Sequence, residues 1–213
     1  MSDLKPLVLD VDGTFLKTDL LFEGFWAGLG RDPLATLRAA VLHFREPARL
    51  KAELAEIAPL RTDLMPVNPA VAEVAQAALA AGHEVCLASA SDRRLVQKLA
   101  EDYGFSARVF ASDGVTNLKG AAKAGALVEA FGERGFDYAG NERADMAVWD
   151  HAETALVVGD VPETRGLPAR GVGVVDLPGG WTARALWKAI RPHQWVKNVL
   201  LILPMIAAHR FDL

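Results

Sequence analysis

The sequence predicts an α/β fold, a doubly wound parallel sheet with a small all-helical cap inserted after the first strand. Short apolar runs without polar alternation, such as residues 7–9 and 155–158, are typical of strands buried on both faces. Segments of helical periodicity separate these runs, which favours parallel strands joined by helical crossovers. The 213 residues, 51% of them hydrophobic, suffice for one sizeable core with a small insert.

Six strands are predicted along the chain, separated by helices. They lie at about residues 7–9, 84–89, 108–111, 135–139, 155–158 and 172–175. Asn68 followed by Pro69 predicts a helix start, and Gly82 is well placed to end that helix. Lys119 is predicted to open a later helix, after the third strand.

Residues 15–65 show no strand pattern and are predicted to form the cap, with the core made of residues 1–14 and 66–178. Apolar residues recur there at helical spacing, and the stripe of Phe22, Phe25 and Trp26 is interpreted as the core of the cap. A cap beside the carboxyl end of the first strand would exclude water and select the substrate.

The composition changes after residues 177–180, Leu-Pro-Gly-Gly, which marks a linker. Residues 184–213 carry five Lys or Arg against one Asp, and residues 199–208 are apolar throughout. Basic residues and Trp195 beside this run predict a hydrophobic C-terminal helix at a membrane interface. The run is shorter than the ~20 residues of a spanning helix, and a buried core helix is the alternative. The tail is assigned to residues 181–213.

Composition also excludes several classes of function. The net charge of −4 gives no reason to expect nucleic acid as a partner. A single cysteine, Cys86, rules out an internal disulfide and fits a reducing compartment. The first strand begins almost at once, which leaves no room for a signal peptide and predicts a cytoplasmic start. The five histidines form no cluster with zinc-ligand spacing.

Two carboxylates, Asp10 and Asp12, end the first strand. The strand period of two predicts that both side chains point the same way. Gly13 then lets the backbone turn sharply, at the sheet edge where ligands of parallel sheets bind. Because two carboxylates this close repel each other, the pair predicts a bound cation.

Further polar residues follow other predicted strands or begin the helices beside them, at Ser89, Lys119, Asn141 and Asp145. Together with the aspartate pair they supply what phosphoryl transfer needs: a nucleophile, a cation and hydrogen-bond donors for the phosphoryl oxygens. Mg²⁺ is the expected cofactor because it binds a few oxygen ligands plus waters. The predicted metal ligands are Asp10, the carbonyl of Asp12, and an oxygen of Asn141 or Asp145.

Each residue of this set has a predicted role. Asp10 attacks phosphorus to form an aspartyl phosphate, and Asp12 protonates the leaving alkoxide and later activates water. The phosphate is bound by the Ser89 hydroxyl, the backbone N–H of Ala90 and the neighbouring backbone N–H groups. Lys119 neutralises Asp10 and the transferring group.

Three alternatives remain open for this set. An isolated Asp-x-Asp also suits a surface turn or the nucleotide-metal motif of a glycosyltransferase. A solvated surface residue is the less favoured alternative for Lys119. Asp160 also ends a strand, but the segment at Asn141 is preferred because it follows Lys119 by one helix and one strand.

These residues resemble, in order, the four motifs of the haloacid dehalogenase (HAD) superfamily: residues 10–14 (DVDGT), Ser89, Lys119 and residues 140–145. The helical insert after the first motif looks like the cap of the phosphoserine-phosphatase-like branch. The resemblance covers roughly residues 4–176 and implies a magnesium-dependent phosphatase on a Rossmann-like core. It also implies that Glu23, in the cap, faces the site and binds substrate. Asn141 stands where the fourth motif normally has Asp, so the implied metal site lacks one formal charge.

Residues 191–198 (RPHQWVKN) and the apolar run after them carry a second resemblance. They look like the start of the membrane domain of UbiA-family prenyltransferases, above all the polyprenyl-phosphate phosphoribosyltransferase branch, some members of which carry an N-terminal HAD domain. The aspartate-rich motifs of that membrane domain are absent from this sequence, so prenyl transfer is not assigned to it. The resemblance implies a prenyltransferase domain as partner, at the cytoplasmic side of the inner (plasma) membrane.

The sequence therefore predicts a Mg²⁺-dependent phosphomonoesterase acting on a phosphorylated sugar or a phosphoribosyl polyprenyl phosphate. The alternative hypothesis is a non-catalytic HAD-like domain that serves as scaffold or regulator of a UbiA-type prenyltransferase. A free phosphoserine phosphatase is a third hypothesis, under which the basic, tryptophan-bearing tail would have no purpose.

Overall fold

The computed structural model describes residues 4–113 and 117–179, which form a parallel sheet of six strands with helices on both faces. The strands are β1 (Leu7–Asp10), β2 (Val85–Asp92), β3 (Val109–Ser112), β4 (Asp137–Gly140), β5 (Thr154–Val158) and β6 (Gly173–Leu177). They lie in the order β3-β2-β1-β4-β5-β6, and every pair is parallel. The predicted doubly wound α/β class is confirmed. The predicted C-terminal helix and tail lie outside the described residues.

Helices connect the strands and form the cap. They are α1 (Leu20–Arg31), α2 (Pro33–Leu42), α3 (Pro47–Ile57), α4 (Pro69–Ala80), α5 (Arg93–Asp102), α6 (Ala121–Phe131) and α7 (Met146–Trp149). Asn68 caps α4, because its side chain accepts a hydrogen bond from the N–H of Ala70. In the described part of the chain, no helix combines the length and the apolar character that crossing a bilayer requires.

Strand β1 separates two hydrophobic cores. Leu7 and Leu9 belong to the core that packs under α4 and α5, whereas Val8 belongs to the core that includes Leu127 of α6 and Trp149 of α7. Because side chains alternate along a strand, Asp10 continues on the side of Val8. The first site residue is therefore directed towards α6.

The cap consists of α1, α2 and α3, which pack against one another. Helix α1 buries Leu20, Gly24 and Gly28, a face made mostly of glycine, which lets the neighbouring helices approach closely. The interpretation of the Phe22 and Trp26 stripe as cap core is wrong, because these side chains are 58% and 56% exposed. Close approach through small residues leaves the large ones on the outside.

Replacing Gly28 by alanine is expected to lower the free energy of unfolding by about 1–3 kcal/mol, because the new Cβ would lie 2.6 Å from Oγ1 of the buried Thr36. Gly30→Ala is the matched control in the same helix, since no heavy atom lies within 4 Å of its Cβ position. Helix propensity predicts that this control raises the same free energy by up to ~1 kcal/mol. Urea unfolding measures both. Equal effects would contradict the packing of α1 on α2.

Candidate functional site

The carboxylate of Asp10 is buried at the end of β1 and paired with a lysine of α6. The Lys123 Nζ atom lies 2.6 Å from Asp10 Oδ1, 2.9 Å from the Tyr138 hydroxyl and 3.8 Å from Asp145 Oδ1. The Tyr138 hydroxyl in turn donates to Asp145 Oδ1 at 2.8 Å. The lysine thus has a partner on each side although its side chain is only 5% exposed.

Lys119, the lysine chosen from the sequence to neutralise Asp10, does not contact it. Its side chain is 53% exposed and pairs with Glu142 at 3.0 Å, at the edge of the site. The reason is the start of α6 at Ala121, which leaves Lys119 ahead of the helix and puts Lys123 in its first turn. The lysine that pairs with Asp10 in the structure is therefore Lys123.

The carboxylate of Asp12 is bound by donors from two other segments. Its Oδ1 atom accepts from the N–H of Leu20 at 2.7 Å, and its Oδ2 atom accepts from the hydroxyls of Ser89 and Ser91, both at 2.9 Å. Strand β1 ends at Asp10, but the side chains of Asp10 and Asp12 line the same cavity. Ser91 thus joins the site, and the N-cap of α5 is Asp92.

The first turn of the site packs directly on the loop after β4. Gly13 has φ +78°, and a Cβ there would lie 2.5 Å from Nδ2 of Asn141, so only glycine allows this approach. The Thr14 hydroxyl lies 3.0 Å from Asp10 Oδ2 and 3.1 Å from Asn141 Oδ1. A hydroxyl has one proton, so it can donate to only one of these two oxygens at a time.

Asp145, predicted as a possible metal ligand, supports the loop that carries Asn141. Its Oδ2 atom accepts from the backbone N–H groups of Asn141 and Glu142, both at 3.1 Å, and its Oδ1 atom accepts from the Tyr138 hydroxyl. Both carboxylate oxygens are therefore engaged within the protein. The oxygen that faces Asp10 across Thr14 belongs to Asn141.

Burial governs the ionisation of these groups. It raises the pKa of Asp10 to about 7, with the charges of Asp145 and Asp12 adding to the rise and Lys123 opposing it. Burial, with a contribution from Asp19, also raises the pKa of Asp12. Burial alone would lower the pKa of Lys123, but Asp10 and Asp145 outweigh it and raise that pKa. The lysine stays charged while the carboxylates become weaker acids.

These side chains open onto a cavity of about 140 Å³. It is lined by Asp10, Asp12, Asp19, Lys51, Ala90, Lys119, Lys123, Asn141 and Glu142. Lys51 comes from the cap helix α3 and donates to the carbonyl of Ala90 at 2.8 Å, and burial lowers its pKa. Glu23, predicted to bind substrate, is not among the lining residues and instead accepts from the Thr18 hydroxyl at 2.6 Å.

A hard divalent cation such as Mg²⁺ fits the oxygens present. Asp10 and Asn141 offer a carboxylate and an amide oxygen on either side of Thr14, and Mg²⁺ needs only one or two carboxylates together with waters. No three His, Cys, Asp or Glu side chains of residues 4–113 and 117–179 are grouped as a metal site. The predicted donor set thus depends on Asn141 and on the Asp12 carbonyl.

Comparison with curated protein sequences finds a relative of partial coverage. The chain is 32% identical over 210 residues to the uncharacterized protein y4nM of Sinorhizobium fredii (strain NBRC 101917 / NGR234). The alignment covers 97% of this chain but only 40% of that protein, so the chain spans well under half the length of its relative. No protein-family model matches the chain.

Solved structures share the fold. They include a protein of unknown function from Bordetella pertussis Tohama I (TM-score 0.60, 17% identity, 82% of this chain and 99% of that one). A HAD family hydrolase, t0658 of Salmonella enterica serovar Typhi, matches with a TM-score of 0.55 and 18% identity. The match covers 82% of this chain and 69% of that one. A phosphoserine phosphatase, solved as a phospho-aspartyl intermediate analogue, matches with a TM-score of 0.54 and 14% identity. The match covers 88% of this chain and 99% of that one. At these identities the likeness is one of fold, and that fold is the HAD fold.

The raised pKa of Asp10 predicts how pH and metal affect stability. Folding raises this pKa from 3.8 to about 7, so the metal-free protein loses stability as pH rises across that window. Asp10→Asn should therefore raise the thermal midpoint of metal-free protein more at about pH 8 than at about pH 5.5. Mg²⁺ should raise the wild-type midpoint, and more strongly at the higher pH, because binding needs the ionised carboxylate.

Thermal unfolding with and without Mg²⁺, at both pH values, measures these shifts. Asp160→Asn, at an exposed carboxylate outside the cavity, is the matched control and should leave the Mg²⁺ effect intact. An equal Mg²⁺ effect in Asp10→Asn and wild type would rule out Asp10 as a ligand.

Proposed function

We propose that this chain, which has the HAD fold, is a divalent-metal-dependent phosphomonoesterase that works through an aspartyl phosphate on Asp10. The observation that carries the proposal is the buried Asp10 carboxylate, held 2.6 Å from Lys123 and opening onto a cavity that Asp12 also lines. An oriented carboxylate beside a fixed cation suits nucleophilic attack on a phosphate ester. The fold shared with the phospho-aspartyl analogue of phosphoserine phosphatase supports the same choice.

In the proposed reaction, an Asp10 oxygen forms a bond to phosphorus while the bond from phosphorus to the ester oxygen breaks. The departing alkoxide takes a proton from Asp12, whose pKa is raised by burial, as suits a general acid. The ionised Asp12 then accepts a proton from water, whose oxygen attacks phosphorus. Asp10 is released as a carboxylate together with inorganic phosphate.

Other residues of the site hold the phosphoryl group and its charge. Lys123 neutralises Asp10 and the transferred group, and the hydroxyls of Ser89 and Ser91, now bonded to Asp12, can rotate to donate to phosphoryl oxygens. Lys51 supplies a second cation from the cap. A metal ion bound by Asp10 and Asn141 would add Lewis-acid stabilisation of the phosphoryl oxygens.

The substrate class and the location form a finer part of the proposal. Residues 191–198 support a UbiA-type prenyltransferase domain as partner, and residues 199–208, with the basic residues around them, support contact with the membrane at its cytoplasmic side. A phosphorylated sugar or a phosphoribosyl polyprenyl phosphate is the substrate that fits such a partner. These segments lie outside the described residues, so their support is from sequence alone.

Phosphate release from a panel of esters, with and without Mg²⁺, tests the proposal. The panel contains phosphoserine, ribose 5-phosphate and a phosphoribosyl prenyl phosphate. Release should require Mg²⁺ and fall to background in Asp10→Asn, while acid-quenched wild type should carry one phosphoryl group on Asp10 by mass spectrometry. Asp160→Asn, which removes the alternative strand-end carboxylate, should keep wild-type turnover. Mg²⁺-dependent release that persists in Asp10→Asn would refute the nucleophile.

A pair of lysine variants tests the position of the catalytic cation. Lys123→Met should lower kcat by about 100-fold or more, because it removes the charge that faces Asp10 and the phosphoryl group. Lys119→Met should cost less than about tenfold, since exposed ion pairs contribute little. Steady-state kinetics on the same ester measures both. A larger loss in Lys119→Met would restore the assignment made from the sequence.

The non-catalytic scaffold is the competing function, and Asn141 is the observation that favours it. It predicts no Mg²⁺-dependent release from any ester and the same thermal midpoint with and without Mg²⁺. A midpoint that rises with Mg²⁺ while no ester is cleaved would leave the metal site in place and point to an untested substrate.

A further inference from the structure

Helix α2 has the composition of a buried helix but lies on the surface of the cap. Only Thr36 and Ala39 are buried in it, and Arg38 is its one charged residue. Five large apolar side chains at α2 and just after it are 50–81% exposed: Leu34, Leu37, Val41, Leu42 and Phe44, here called the α2 face. A helix that is apolar on nearly all sides is normally covered, and exposed apolar patches mark interaction sites.

Three arginines lie in or beside the α2 face. Arg31 precedes the helix, Arg38 lies within the exposed arc, and Arg45 follows Phe44. No ion pair is found for these three arginines within residues 4–113 and 117–179, whereas Arg49 of α3 pairs with Glu46 at 2.9 Å. The nearby carboxylate of Asp32 caps α2 by accepting from the N–H of Ala35. The face is therefore apolar, with unpaired positive charge in and around it.

We infer that the α2 face docks on an anionic lipid bilayer. Aliphatic and aromatic side chains that enter the acyl boundary, flanked by arginines that reach the head groups, are typical of helices lying in the membrane interface. A second apolar pair on the same cap, Phe22 and Trp26 of α1, is also exposed and adds the aromatic character found at interfaces. This inference does not depend on the proposed phosphatase activity.

Two other occupants fit the charges less well. A second copy of this chain in a two-fold contact would bring the same three arginines face to face. Residues 199–208 of this chain are apolar, but Lys197 and Arg210 flank them and would repel the same arginines. An anionic surface is the partner that complements both the apolar side chains and the positive charge.

A fluorescent label on the face tests this inference in the full chain. Leu37→Cys places a thiol on the α2 face, and an environment-sensitive dye attaches there because the natural Cys86 is fully buried with a thiol pKa raised by burial to about 12. Vesicles containing phosphatidylglycerol should shift the emission to the blue, and brominated acyl chains should quench it. Neutral phosphatidylcholine vesicles should have little effect. The same dye on Glu73→Cys, exposed on α4, is the matched control and should not respond.

Charge reversal at Arg38 and Arg45 in the labelled protein should shift the vesicle titration midpoint by at least about tenfold, given about fivefold for each basic residue near an anionic surface. The dye reports the face itself, even if the tail binds vesicles. No response, or an equal response to neutral vesicles, would overturn the inference. Blue emission before vesicles are added would also overturn it. Dependence of that emission on protein concentration would identify a second copy, and its absence would identify residues 199–208.

Discussion

The site depends on keeping several carboxylates and one lysine together away from water. Asp10, Asp145 and Lys123 are each less than a tenth exposed, and desolvation of such charges costs more than their mutual attraction returns unless other donors help. The Tyr138 hydroxyl and the backbone N–H groups after β4 supply that help, and they come from elements that the parallel sheet brings to one edge. The buried cluster therefore lowers the stability of the fold rather than adding to it.

The fold class could be predicted because burial on both faces of a strand leaves a direct mark in the sequence, an apolar run such as that of β1. The cap was harder. Helical spacing located its helices but not their buried faces, because α1 packs through Gly24 and Gly28, residues that carry no hydrophobic signal. Large apolar residues normally identify the inside of a helix, and here they lie outside, at Phe22 and Trp26.

The position of Asp10 could be predicted because it ends β1, whereas Ser89 lies within β2, three residues before that strand ends. The lysine that pairs with Asp10 could not be predicted, because Lys119 and Lys123 lie four positions apart and both fit the pattern. The choice between them depends on where α6 begins. Sequence also does not show that Asp145 serves the loop or that Lys51 reaches in from the cap, since both depend on tertiary contacts. The polar hydroxyl of Tyr138, within the buried strand β4, is a signal that the sequence does carry.

The close contact between Gly13 and Asn141 couples two segments that are far apart in the sequence. Any side chain at residue 13 would occupy the space that the Asn141 amide fills, so a substitution at residue 13 would displace that amide. Residue 13 belongs to the turn that carries both aspartates, whereas residue 141 belongs to the loop held by Asp145. A relative with a side chain at residue 13 should therefore have a rebuilt loop after β4.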